Sequence, residues 1–189
     1  FRSQGTPYTL RAPIYGTHHG TNIALAFATA CSLGMAPETV VTALRSTPQV
    51  PHRLEVKRQG DGSIIVDDAY NSNPIGFAGA LEILSLLRRE GGRRILVTPG
   101  MVELGAAHDA EHARLGTLAG AHVDVLLPVR PERIPTFVEA FAKAAPGAAV
   151  HPCASFAAAQ DWMRANVTGV DVVLLENDLP DLYERKLVL

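Results

Sequence analysis

The sequence predicts an α/β fold: a doubly wound, mainly parallel sheet over most of the chain, preceded by the helical tail of another domain. Three observations carry this. From residue 52 onward, short apolar runs alternate with helical stretches, the rhythm of βαβ units. The run Val170–Leu175 (VDVVLL) reads as a strand buried on both faces. Residues 1–47 hold one strand and two helices, with no sheet of their own to cover a greasy helix. With 189 residues, 47% hydrophobic and 19% charged, the chain has material for one domain plus part of another, and global disorder is excluded.

Taken in order, Thr6–Ile14 has strand character and 16–20 (GTHHG) is a polar turn. Asn22–Leu33 (NIALAFATACSL) is apolar all round. Gly34 suits the left-handed position after that helix, and Pro37 the first turn of the next, Pro37–Arg45. Ser46–Pro51 (STPQVP) has linker composition, with 48–51 dividing residues 1–47 from 52–189. Leu54–Arg58 and Ser63–Val66 form a hairpin around Gly60-Asp61-Gly62. Pro74–Glu90 is a helix with Ala80, Leu84 and Leu87 on one face. Arg94–Thr98, Val123–Pro128, Ala149–Pro152 and Val170–Leu175 are strands; Ala107–Ala119, Pro131–Ala144 and Ser155–Asn166 are helices.

Composition narrows the function classes. The formal charge of −2, from 17 Lys+Arg against 19 Asp+Glu, supplies no bulk field for nucleic acid or an anionic membrane. No apolar run approaches the roughly 20 residues of a membrane span. Cys31 and Cys153 are too few for a disulfide framework or a cysteine metal site and suit a reducing cytoplasm. The chain begins at Phe1, which reads as a piece of something longer. It contains no GxxxxGK[ST] phosphate loop, no GxGxxG after a strand, no GxSxG and no HExxH.

The densest polar cluster is Asp67-Asp68-Ala69-Tyr70-Asn71-Ser72-Asn73-Pro74, at the carboxyl end of a strand and just before a helix. In an open α/β sheet that edge binds ligands; the same residues also suit an Asn/Asp turn with a helix cap, and Asp67 is structural in either case. Arg53 can reach a phosphate with its planar fork, or simply be an exposed strand-end arginine. The loop 16–22 ends at a helix N-terminus, a polar-ligand site or a plain cap. His108 and His112 share one helix face at a spacing that permits metal binding, although such a pair is more often a solvated face. The Glu176–Asp181 segment has three carboxylates able to hold an ammonium or metal, or to form an acidic turn.

In order, these segments resemble the Mur ligase family, most closely its branch that adds D-alanyl-D-alanine to the peptidoglycan precursor. Gly16-x-His18-His19-x-x-Asn22 is similar to a G-x-H-N-x-x-N segment, and His52-Arg53-Leu54-Glu55 to a Gly-Arg-x-Glu segment. Asp67–Pro74 matches Asp-Asp-x-Tyr-Asn-x-Asn-Pro throughout, and Met101–Gly105 matches Met-x-Glu-Leu-Gly. His19, His52 and Pro99-Gly100 depart from the usual Asn, Gly and Gly-Asp, as in a divergent branch.

The resemblance implies a Rossmann-like C-terminal domain over 52–189 and, over 1–47, the end of a central ATP-binding domain. It implies ATP with Mg²⁺, the metal ligands lying mostly outside this chain. His18 and Asn22 would lie near the adenine, Asp68 at the ribose hydroxyls and Arg53 at the phosphates, with Tyr70, Asn71, Asn73 and Glu103 lining the cleft. No catalytic residue and no metal ligand is assigned within the chain. Its partners would be a UDP-linked muramoyl peptide and an amino acid or dipeptide amine, with neither nucleic acid nor membrane insertion, in the cytoplasm. The reaction would pass through an acyl phosphate to an amide, and the 189-residue chain alone would be inactive. The alternatives are a folylpolyglutamate- or cyanophycin-type ligase, against the former of which Tyr-Asn-x-Asn-Pro argues, and a non-catalytic α/β binding module.

Overall fold

The computed structural model describes residues 1–3, 5–17 and 19–177. Its elements are β1 (Arg2–Ser3), β2 (Thr6–Pro7), α1 (His19–Ser32), α2 (Pro37–Leu44), β3 (Glu55–Arg58), β4 (Ile64–Asp68), α3 (Pro74–Leu86), β5 (Arg94–Thr98), α4 (His108–Ala119), β6 (Val125–Pro128), α5 (Pro135–Ala144), β7 (Ala149–Val150), α6 (Phe156–Asn166) and β8 (Val172–Glu176). The main sheet runs β3-β4-β8-β5-β6-β7. β3 is antiparallel to β4, and every other pairing is parallel. The last strand thus returns to the middle of the sheet, where residues 171–174 are buried as the composition predicts, while Val170 before the strand is 38% exposed.

Alternation along the strands divides the core between two faces. Ile64, Val66, Leu96, Leu126, Val172 and Leu174 pack with Phe77 and Leu81 of α3, Leu115 of α4 and Phe137 and Phe141 of α5. Ile95, Val97, Val125, Leu127 and Val173 pack on the opposite face with Ala159, Trp162 and Met163 of α6. A doubly wound α/β sheet follows, as predicted. No helix among the described residues is long and apolar enough to cross a membrane.

Several boundaries differ from the sequence pattern. The first strand is confined to Thr6–Pro7, paired with Arg2–Ser3, because the proline lacks the N–H a longer ladder needs. α3 stops at Leu86 rather than Glu90, and Arg89 turns back to bond the carbonyls of Gly62 and Gly169 at 2.7 and 2.8 Å. The segment 131–144 divides into a 3₁₀ turn and α5 at Ile134, since a residue before proline is sterically kept out of the helical region. In α1 only Phe27 is buried, against Phe1 and Tyr8, while Leu25 stays 60% exposed. Gly34 takes φ +94° after it, the left-handed conformation expected there.

The amino edge of the sheet is locked by two arginine–aspartate forks. Arg93 and Arg94, at the start of β5, each give backbone and guanidinium N–H groups to one carboxylate: Asp171 before β8 and Asp124 before β6. Burial alone would push the Asp171 carboxyl up, but the Arg93 fork and the Thr168 N–H and hydroxyl outweigh it and bring it down to about 2.

The carboxyl edge is fixed by close packing. Gly100 stands at φ +77°, and a Cβ there would lie 2.3 Å from Ile134 Cγ2 and 2.6 Å from His112 Nε2. His112 is buried; its Nε2 accepts the Met101 N–H at 3.0 Å, so its Nδ1 carries the proton donated to the His108 carbonyl at 2.8 Å.

Two outcomes test these anchors. Because the folded pKa of Asp171 lies below the unfolded value, the fork contributes most above about pH 4, and its roughly 2 kcal/mol is lost as pH falls toward 2. Asp171→Asn should therefore lower the melting temperature at pH 7, with the difference from wild type shrinking through that window. Gly100→Ala should cost about 2 kcal/mol or more in urea unfolding, from the clash and the left-handed backbone together.

Candidate functional site

All five non-glycine residues with positive φ among the described ones lie at one edge of the sheet: His52, Leu54, Glu103, Arg130 and Asn177. His52 and Leu54 precede the antiparallel β3, which brings them to the carboxyl end of β4; the other three follow β5, β6 and β8. Each such residue costs on the order of 1 kcal/mol, and strain of this kind gathers where a scaffold holds functional groups. This is also the edge to which the Asp67–Pro74 cluster belongs.

The two segments predicted from sequence meet there. The Leu54 N–H donates to Asp68 Oδ1 at 3.0 Å, and the Tyr70 N–H to the His52 carbonyl at 3.2 Å. Between those two ties Arg53 is exposed, its guanidinium carbon 4.4 Å from the centre of the Tyr70 ring, which is itself 66% exposed. A cation stacked on an open ring at a strained edge is free to turn toward an anion without breaking the fold. Asp68 points to the α3 side of the sheet and Asp67 to the other. Asp67 is structural, as predicted: burial would push its carboxyl up, but the Lys57 ammonium at 2.7 Å and His52 Nδ1 at 3.0 Å hold it below the usual range.

The remaining predicted residues are distributed unevenly. Asn73 is the helix cap: its Oδ1 accepts the Ile75 and Gly76 N–H groups at 3.1 and 2.9 Å. Asn71 and Glu103 are exposed along the edge, Glu103 on the loop after β5. Asn22, exposed on the first turn of α1, is not among the residues this network joins. His18 lies outside the described residues, as do Asp178 and Asp181.

The histidine pair is neither a metal site nor a solvated face. Its ring centroids lie 4.2 Å apart with the planes tilted by 52°, both His112 nitrogens are engaged, and His108 Nε2 sits 2.9 Å from the Arg133 carbonyl. Burial pushes the His112 imidazole down, keeping it the neutral anchor of the Met101 loop. Among the described residues, His52, Glu55 and Asp67 stand close enough to share an ion, yet Lys57 Nζ already reaches both carboxylates, at 3.0 and 2.7 Å.

Glu176 and Asn177 differ most from the sequence reading. They form no exposed acidic turn: both are buried at the end of β8, and Asp68 and Glu176 are register partners. Burial and the Asp68 charge push the Glu176 carboxyl well up. The Asn177 N–H donates to the Asp68 carbonyl at 3.1 Å and its side-chain amide to the Gly100 carbonyl at 2.6 Å. Period-two alternation through Val172 and Leu174 carries the signal that position 176 faces inward.

Residues 52–176 match the family described as Mur ligase, glutamate ligase domain. The chain is similar to the UDP-N-acetylmuramoyl-tripeptide–D-alanyl-D-alanine ligase of Mycobacterium tuberculosis (strain ATCC 25618 / H37Rv), 40% identical over 114 residues that cover 58% of this chain and 22% of that protein. The enzyme of the same name from Bacillus subtilis (strain 168) is 31% identical over 152 residues, 80% of this chain and 31% of that one. The chain thus spans about a fifth to a third of the length of these relatives. In fold it resembles the MurF ligase of Thermotoga maritima solved with ADP, at a TM-score of 0.73 and 22% identity over 90% of this chain and 37% of that one. MurF from Acinetobacter baumannii gives 0.75 and 22% over 92% and 37%. The family match over 52–176, together with these likenesses, shows that the chain belongs to the Mur ligase family.

Proposed function

We propose that this chain is the C-terminal part of an ATP-dependent ligase that joins an amine, such as D-alanyl-D-alanine, to the peptide of a UDP-linked muramoyl precursor. The observation that carries the reading is the meeting of Arg53, Asp68 and Tyr70 at the strained carboxyl edge, in a domain of the Mur ligase family. Residues 1–47 are read as the end of the preceding ATP-binding domain. In support, α1 is apolar with only Phe27 buried, and the solved MurF ligases align with 90–92% of the chain, beyond the 52–176 span.

In this reading Arg53 leaves the Tyr70 ring to neutralise the phosphates, and Asp68 accepts from the ribose hydroxyls. Asn22, with His18, lies near the adenine, while Tyr70, Asn71, Asn73 and Glu103 face the amine side of the cleft. The substrate carboxylate takes the γ-phosphoryl group of ATP, releasing ADP, and the amine then displaces phosphate from the acyl phosphate to form the amide. Such a transfer depends mostly on positioning and charge neutralisation. Mg²⁺ would add Lewis-acid neutralisation, but no described residue is assigned to it, since Lys57 spans the His52–Glu55–Asp67 cluster. The setting is the cytoplasm, where ATP and UDP-linked precursors are available.

An amine-dependent phosphate-release assay, on these residues joined to their natural upstream sequence, tests the reading with the UDP-muramoyl tripeptide and D-alanyl-D-alanine. Arg53→Ala and Asp68→Ala should each lower kcat/KM by roughly tenfold to a hundredfold with the circular dichroism spectrum unchanged. Wild-type rates in either variant would overturn the placement of the nucleotide. The 189-residue chain alone should release no phosphate from ATP, and measurable turnover by it would contradict its reading as part of a larger site.

A further inference from the structure

Glu176 is the buried titratable group that the reading above leaves without a role. As register partners on parallel strands, Asp68 and Glu176 rise from the same face of the sheet, where α3 begins. The Ser72 hydroxyl, just before that helix, donates to Glu176 Oε1. Glu176 is 0% exposed, and its Oε2 meets no donor among the described residues. No lysine, arginine or histidine among them pairs with it. The groups that act on the carboxyl are Asp68 from β4 and Ser72 from the loop into α3; of these only Asp68 titrates.

An ionised carboxylate in that position would be buried, unpaired and beside a second carboxylate. Two carboxyl groups side by side can satisfy one another only when one of them carries a proton. We propose that Glu176 is a positioning residue: a buried acid that shares one hydrogen-bonded proton with Asp68 and so fixes the Asp68 carboxylate at the sheet edge. Asp68 is then held at two points, by the Leu54 N–H at 3.0 Å and by the Glu176 carboxyl. Held in this way, the Asp68 carboxylate is oriented to accept from a vicinal diol. The proposal rests on the reading of Asp68 as the ribose ligand.

Carboxyl ¹³C NMR of the 189-residue chain, labelled in Asp and Glu, tests it with ADP and 2′,3′-dideoxyadenosine diphosphate as probes at millimolar concentration. At pH 7 the Glu176 signal should be that of an acid, and should move in Asp68→Asn. ADP should shift the Asp68 signal with about fivefold higher affinity than the dideoxy compound, the weight of one hydrogen bond. Glu176→Gln, whose amide can donate to Asp68 and accept from Ser72, should keep that preference; Glu176→Leu should lose it. A carboxylate signal from Glu176 at pH 7, or an undiminished preference in Glu176→Leu, would overturn the proposal. Should the leucine variant not fold, loss of the preference in Glu176→Gln overturns it and retention supports it. If neither nucleotide moves Asp68 in the wild type, the ribose placement fails. The Glu176 signal and its response to Asp68→Asn then decide the shared proton by themselves.

Discussion

Asn177 ties together the strand ends on which the candidate site is built. Its backbone N–H holds the carbonyl of Asp68 and its side-chain amide holds that of Gly100, so one residue joins the ends of β4, β8 and β5. It does so at φ +63°, a conformation asparagine tolerates better than most residues because its short amide can bond locally. Glycine would match the backbone angle there and forfeit the amide bond. From this tie the rest of the edge follows. Asp68 is placed beside Glu176 and under the Leu54 N–H, and Gly100 is seated against Ile134 and His112, which in turn holds Met101.

The two edges of the sheet meet different physical demands. At the amino edge, both exposed ends of the charge problem are closed: each arginine fork meets one carboxylate, and each carboxylate also takes its partner's backbone N–H. The carboxyl edge keeps Arg53 and Tyr70 open to solvent, holds the five non-glycine left-handed residues and buries one carboxyl with which no cation among the described residues pairs. Strain and unspent polar capacity on a rigid scaffold are what a binding site needs, and the crevice outside the carboxyl ends of an open α/β sheet is where ligands dock.

Much of this was readable in the residues. The strand cores, the hairpin around Gly60–Gly62 and the helices from Pro74 onward lie where apolar periodicity puts them, because burial enforces that pattern. Helix ends were less readable: α3 gives up its last turn when Arg89 finds two distant carbonyls, a long-range competition that local propensity does not register. The cluster Asp67–Pro74 announced a polar site, yet its members divide into a structural pair partner (Asp67), a cap (Asn73) and open groups (Tyr70, Asn71) only once neighbouring strands supply partners. His112 read as half of a solvated helix-face pair at a spacing that also permits metal, until the Met101 N–H and the His108 carbonyl claimed its nitrogens.

By itself the sequence determined the alternation of strands and helices, the ordered motifs that relate the chain to its family, and the polarity of one strand end. These are local properties, written in period and spacing. Only the tertiary structure decided that β8 inserts between β4 and β5, and hence that Glu176 is buried beside Asp68 rather than exposed in an acidic turn. The two carboxyls are more than a hundred residues apart in the chain, and their protonation depends on water that the fold, not the composition, removes.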